Sequence, residues 1–448
     1  MKEKVIQFGE GGFLRGFVDY FLQKLNDSGL WEGKAVVVQP IEKGMCDMLN
    51  AQGCRYNLIL RGIEDGTVVN EHTKIDVISR CINPYTEFDA YLRLAENPDF
   101  RFIISNTTEA GIEYIGTEAK SDRPAKSYPA KLTQLLYRRF ELHLPGFILF
   151  PCELIDNNAD RLKECVLSYA SLWGLGDDFV KWIEEENDFC NTLVDRIVTG
   201  YPKDEAEKLW QEIGEKDNLL DTAEIFHLWV IGGHHEDELP LQNAGFHVVW
   251  TDDVSPYKKR KVRILNGGHT SMVLGARLYG LETVGECLQD ETVSAFLKKC
   301  IFEEIIPTLG NTQTDIDFGK AVLERFSNPF IRHRLLSIAL NSVSKFAVRV
   351  LPTILEYREK FGAYPPALTF SLACLIRFYR TDEADDGEEV MQFMKGASVP
   401  EILKKSAYWG RDLSDLLPLI EKYDKLIAEE GMRAAYSLVC RESEAFCE

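Results

Sequence analysis

The opening stretch of the chain limits its fold more than any other. Lys4–Phe8 is a short apolar run with the character of a buried strand, and a glycine-rich turn, Gly9-Glu10-Gly11-Gly12, follows at once. Phe13, Leu14, Phe17, Val18, Phe21, Leu22 and Leu25 then recur at the spacing of one helix face. Asn26-Asp27-Ser28-Gly29 stops that helix, and Ala35–Val38 reads as a second strand. Strand, helix and strand in this order make a βαβ unit, which implies a parallel sheet.

The same texture continues through the first half. Tyr56–Leu60, Thr73–Val77, Phe102–Ser105 and Phe147–Phe150 are further strand candidates, Leu132–Phe140 and Asp160–Leu172 are helical, and Phe246–Thr251 is a late strand of the same domain. Beyond Pro256 strand-like runs disappear. Helical patterns cover Ser271–Leu278, Thr283–Leu288, Val293–Ile306, Ile331–Phe346, Pro366–Tyr379 and Leu413–Glu429, with Asp382–Glu389 a solvated loop. A chain of 448 residues is long for one core. We therefore expect two domains. The first, 1–254, is α/β, a doubly wound parallel sheet of the dinucleotide-binding (Rossmann-like) type; the second, 255–448, is mostly α-helical.

Charge and cysteine usage exclude several classes. A net charge of −20 repels nucleic acid and anionic membranes, and no apolar run reaches the length of a membrane span. The first residues contain no secretory apolar segment, so a cytoplasmic location is expected. Eleven scattered cysteines without C-x-x-C pairs argue against a disulfide scaffold and against zinc. His234-His235 reads as a surface loop, and no metal is expected.

The chemistry concentrates at Lys261-Val-Arg-Ile-Leu-Asn266-Gly-Gly-His269. On an α-helix these three side chains fall at roughly 0°, 140° and 80°, on one side. A lysine beside an amide donor suits carbonyl reduction without a metal, because the oxygen that gains charge needs a donor and the forming alkoxide needs a proton. A solvated helix face would carry the same residue types. Against that, Val262, Ile264, Leu265, Met272, Val273 and Leu274 make the segment apolar. Gly267 and Gly268 each cost about 1 kcal/mol in a helix, so either something packs closely there or the helix is broken.

The turn at Gly9–Gly12 follows a strand and opens a helix, as a pyrophosphate site requires. Leu14 replaces the third glycine of the usual G-x-G-x-x-G fingerprint. Glu42, just past the second strand, is the nearest acid able to accept from a ribose hydroxyl and so to favour NAD, although Lys43 stands beside it.

The Lys261-x4-Asn266-x2-His269 spacing resembles the signature of the polyol-specific long-chain dehydrogenases, the group that contains mannitol dehydrogenase. Gly9, Gly11, Phe13 and Arg15 match that group's Gly-x-Gly-x-Phe-x-Arg turn. Ile6–Gly11, Ser105–Gly111, Pro151–Asp156, Thr192–Pro202 and Leu336–Asn341 are similar to a branch acting on keto-hexuronates. The resemblance implies an NAD enzyme interconverting tagaturonate and altronate, with Lys261 as general acid/base and Asn266 and His269 orienting the substrate oxygen. It implies Asn158 as a second oxyanion donor, where an Asx turn or helix cap is the plain alternative and Asn157 is adjacent. It places Asp195 near the lysine, where Asp195-Arg196 could equally be a structural pair. It offers Glu109 for cofactor or sugar, or as a loop acid. Lys345 is a positive candidate or a surface lysine, with Ser337 and Asn341 standing where mannitol-type relatives carry arginine and aspartate. A hexuronate is an anion, so Arg15, Arg196 and Lys345 are candidates for its carboxylate. Fructuronate or a neutral ketose is the alternative substrate, and a catalytically silent nucleotide sensor is the reading from another class.

Overall fold

A computed structural model describes residues 1–108 and 110–442. The chain divides into two units, Met1–Ser255 and Pro256–Glu448.

The first unit is built on a parallel sheet of six strands in the order β5-β2-β1-β6-β7-β8. These are β1 Glu3–Phe8, β2 Lys34–Val38, β5 Ile78–Ile82, β6 Phe102–Ser105, β7 Ile148–Pro151 and β8 Asp188–Phe189. Side chains alternate across the pleat, and both faces are covered. Ile6, Phe8, Val36, Val38, Ile103 and Leu149 bury one face with Leu132, Leu135 and Leu136 of α3 (Tyr128–Glu141) and Leu162 and Val166 of α4 (Asn158–Leu172). Val5, Ala35, Val37, Phe102, Ile104 and Phe150 bury the other with Phe17, Phe21 and Trp229. Burial on both sides is why these strands read as continuous apolar runs.

Two smaller sheets complete the unit. β3 (Tyr56–Glu64) and β4 (Thr67–Ile75) form an antiparallel hairpin across Asp65-Gly66, both at positive φ, as a tight two-residue turn demands. β3 also pairs in parallel with β11 (Asp221–Glu224), and β10 (Val198–Gly200) joins β11. The third sheet has the order β13-β12-β9, from Val248–Thr251, Leu228–Gly232 and Thr192–Asp195. Tyr56–Leu60, Thr73–Val77 and Phe246–Thr251 therefore lie in strands outside the six-stranded sheet.

The second unit is helical. Its site-bearing part runs from α5 (Ser255–Lys261) through a π-helical turn, Val262–Asn266, into α6 (Gly267–Tyr279). α7 (Gln313–Phe326), α8 (Leu335–Ala339), α9 (Ser342–Arg349), α10 (Pro366–Phe378) and α11 (Leu417–Arg441) surround one apolar core that includes Met272, Phe346 and Phe370. Ile331–Phe346 is not the single helix its pattern predicts. Asn341 takes the left-handed conformation, φ 54°, and separates α8 from α9. Likewise the first helix is two: Phe17, at φ −125° and ψ −79°, separates α1 (Gly12–Gly16) from α2 (Val18–Asp27). Among the described residues no helix is long and apolar enough to cross a membrane.

Candidate functional site

In the first unit the candidate cofactor turn stands at the carboxyl end of β1. That strand lies between β2 on one side and β6 on the other, and chain order reverses there. Ligands of open α/β sheets collect at such a switch point. Gly9 has φ +123°, and a Cβ there would lie 2.8 Å from the Asn106 carbonyl oxygen. Only glycine fits this approach. Gly11 faces open space and carries no side-chain cap for α1. Phe13 stacks on Phe17 at 5.1 Å and packs at the edge of the core. The turn thus presents bare backbone at a helix start, which fits a dinucleotide pyrophosphate. Glu42 is exposed in the loop past β2, where Gln39 Nε2 donates to its carbonyl at 3.1 Å.

The neighbouring loop is stapled from below. Glu153, buried, accepts from the Thr107 N–H at 3.0 Å and from the Ser105 hydroxyl at 3.1 Å, and burial raises its carboxyl pKa. Thr108 is held at φ 86°, an unusual conformation for a β-branched residue. An open cleft of about 440 Å³, lined by Asn106, Thr108, Ala110 and Leu154, lies at the carboxyl ends of β6 and β7. Sequence reasoning did not single out this Ser105–Thr107–Glu153 staple, because its partners are 46 to 48 residues apart. Glu109 lies outside the described residues.

Three expectations for this unit change. Arg15 does not face a ligand: it is 4% exposed, its Nη1 donates to the Leu219 carbonyl, and Asp221 lies 3.7 Å from its Nη2. Its guanidinium also sits over the Tyr56 ring at 5.2 Å. Arg196 is likewise internal. It donates to the carbonyls of Gly16 at 2.8 Å, Ile225 at 3.0 Å and Phe226 at 3.1 Å, and lies over the Tyr20 ring. Neither arginine is available to a substrate carboxylate. Asn158 is not an open oxyanion donor. Its Nδ2 is turned onto the carbonyls of Pro151 at 2.8 Å, Glu153 at 3.1 Å and Thr192 at 3.2 Å, and its Oδ1 accepts from Thr192 N at 2.9 Å. Asn157, by contrast, is exposed, takes the left-handed conformation at φ 50° and makes no cap bond to α4. Asp195 is buried at the end of β9, in register with Leu228.

Residues of metal-ligand type also meet in this unit. The sequence has no such cluster at ligand spacing, yet the fold gathers Asp188, Cys190 and His235, with ligand-type atoms within 4.8 Å of one another. His235 Nε2 and Asp188 Oδ2 are in hydrogen-bond contact at 2.6 Å, and Glu238 is 3.9 Å from the other ring nitrogen.

In the second unit Lys261 ends α5, partly buried, where the π turn begins. The turn shifts the helical register that the wheel of an α-helix assumes, and such single-turn bulges recur at functional sites. Asn266 ends the turn and makes no side-chain cap bond. The two following glycines are explained by contact as well as by the break. A Cβ at Gly267 would lie 3.2 Å from the Arg349 carbonyl oxygen, and one at Gly268 would lie 3.4 Å from Ile301 Cδ1.

His269 stacks on Phe326 and meets the His333 ring edge-on at 5.3 Å. Burial first, then the positive fields of His333, Arg325 and Arg349, hold its pKa well below the ordinary histidine range. The ring is neutral, and its buried Nε2 has no hydrogen-bond partner among the described residues. Lys345 Nζ donates to the Ile338 carbonyl at 3.0 Å, and burial lowers its pKa, with Arg349 adding to the effect. Arg349 was missed from sequence. The signal was present: it stands four residues after Lys345 on the same helix.

Comparison with known proteins covers both units. Residues 3–242 match the mannitol dehydrogenase Rossmann domain, and residues 253–428 match the mannitol dehydrogenase C-terminal domain. An altronate oxidoreductase of Yersinia enterocolitica is 45% identical, over 97% of this chain and 96% of that protein. One of Escherichia coli is 44% identical, over 98% of this chain and 97% of that protein. Two solved structures share the fold. A substrate-free D-sorbitol dehydrogenase has a TM-score of 0.86 at 24% identity, covering 97% of this chain and 95% of its own. The Pseudomonas fluorescens mannitol 2-dehydrogenase, in ternary complex with NAD and D-mannitol, has a TM-score of 0.72 at 20% identity, covering 99% and 95%.

Proposed function

The chain belongs to the mannitol dehydrogenase family, and from that premise we propose that it is an NAD-dependent oxidoreductase interconverting tagaturonate and altronate. The observation that carries the substrate choice is the 45% identity to an altronate oxidoreductase across 97% of the chain. Lys261, Asn266 and His269 would supply the chemistry.

Gly9 and Gly11 offer the backbone that would hold the dinucleotide pyrophosphate, and Glu42 would favour the free ribose hydroxyl of NAD. Bound NADH supplies a hydride for the ketone carbon. The Asn266 amide donates to the carbonyl oxygen as it gains charge. Lys261 gives its proton to the forming alkoxide, and in the reverse direction its free amine takes that proton back. His269, neutral, accepts from a substrate hydroxyl at Nε2 and fixes the chain of carbons. Ammonium and amide groups carry the oxyanion in this reading, so no metal enters it.

The test is a panel of tagaturonate, fructuronate and fructose with NADH and NADPH, followed by nicotinamide absorbance. Tagaturonate with NADH should give the highest kcat/KM. No NADH oxidation with tagaturonate, or a clear preference for fructuronate or fructose, would overturn the substrate assignment. Comparable NADH and NADPH constants would overturn the role of Glu42. Cofactor binding without turnover of any keto sugar would favour the sensor reading.

A further inference from the structure

A keto-hexuronate brings a carboxylate to a chain of net charge −20, so a local cation must receive it. Arg15 and Arg196 are spent on the fold of the first unit, as described above. In the second unit Lys345 and Arg349 stand one turn apart on α9. Residues four apart on a helix share a face, and two like charges there repel unless an anion lies between or above them.

Arg349 is partly buried, and burial lowers its pKa. Among the described residues no aspartate or glutamate forms an ion pair with it, and its one side-chain hydrogen bond is a long 3.5 Å contact to Thr270 Oγ1. A guanidinium partly out of water without a carboxylate opposite carries a free-energy cost, which a bound anion would offset. Its position ties it to the reaction centre. Its carbonyl packs against Gly267, which follows Asn266, and its side chain reaches Thr270, which follows His269.

Resting on the tagaturonate reading, we propose that Arg349, assisted by Lys345, binds the carboxylate of the substrate and sets the preference for a hexuronate over a neutral ketose. The guanidinium fork matches a carboxylate in two parallel hydrogen bonds, which an ammonium alone does not provide. The substrate would then be held at two places, its carboxylate on α9 and its ketone by Asn266 and Lys261.

The experiment is steady-state reduction of tagaturonate by NADH in the wild type, Arg349→Ala and Arg349→Lys, with thermal midpoints and NADH dissociation constants for each. The proposal expects KM for tagaturonate to rise about 30-fold in R349A, with kcat falling by less than about tenfold, the scale of one lost charge-assisted contact. R349K should recover part of the KM, since it keeps the charge and loses the fork. An unchanged KM in R349A, with the wild type active on tagaturonate, overturns the proposal and leaves the substrate reading intact. So does a loss of kcat and thermal midpoint together with no change in KM, which marks a structural arginine. A wild type inactive on tagaturonate overturns both readings.

Discussion

The imidazole of His269 lies flat against the ring of Phe326, with centroids 3.9 Å apart and planes 9° from parallel. Stacking fixes the ring, and burial keeps it neutral, so His269 serves as an acceptor and not as a cation. His269→Phe keeps the stack and removes the acceptor. The thermal midpoint should stay within a few degrees, while kcat/KM for tagaturonate falls about 100-fold.

The same histidine shapes acid stability. Below about pH 6.5 the unfolded chain protonates it and the folded chain does not, so the unfolded state binds more protons and stability falls as pH drops. His227, pushed down to about 3 by burial and then by Arg196, acts with the same sign. Urea unfolding at pH 7.5 and 5.5 should show a smaller loss of stability in His269→Phe than in the wild type. An equal loss would mean that the ring takes up protons in the folded chain just as it does in the unfolded one.

Two adjacent asparagines should separate cleanly. Asn158→Ala leaves the Pro151 and Thr192 backbone groups without their partner and should cost about 3 kcal/mol of stability in denaturant unfolding. Asn157→Gly keeps the left-handed backbone and removes only an exposed amide. Its stability should change by less than about 1 kcal/mol.

Gly9→Ala places a methyl group 2.8 Å from the Asn106 carbonyl at a φ that alanine avoids. The turn must shift, and the close backbone approach is lost. NADH affinity by fluorescence titration should fall at least about tenfold.

These residues also show what sequence can and cannot reveal. β1, β2 and β6 are legible because a strand buried on both faces is an uninterrupted apolar run. The helical character of the second unit is legible for the corresponding reason, the periodic burial of residues such as Met272 and Phe370. The break at Asn341 is not, since a left-handed residue leaves the apolar period almost intact. The π turn before Gly267 is invisible to a wheel that assumes regular rotation. Arg15 and Arg196 were misread because their acceptors are backbone carbonyls 204 and 180 residues away, and carbonyls have no sequence signature. Asn158 fails for the same reason, through Thr192.

Asp19 sits wholly inside the first unit, accepting from the Tyr56 hydroxyl at 2.9 Å, and burial raises its carboxyl pKa to about 7. Between about pH 4 and 7 the folded state therefore holds a proton that the unfolded state has lost, and stability falls as pH rises through that window. Asp19→Asn keeps an acceptor for Tyr56 and removes the titration. Relative to the wild type it should gain on the order of 1–3 kcal/mol at pH 8, with the difference vanishing near pH 4. A constant difference across that range would contradict the buried acid.

Lys261 bears the central claim. Single-turnover oxidation of NADH by tagaturonate in Lys261→Ala, followed by stopped flow at pH 7, should be slower than wild type by about a thousandfold, with the NADH dissociation constant within about twofold. A rate near that of the wild type would contradict the account, because the proton would then come from elsewhere.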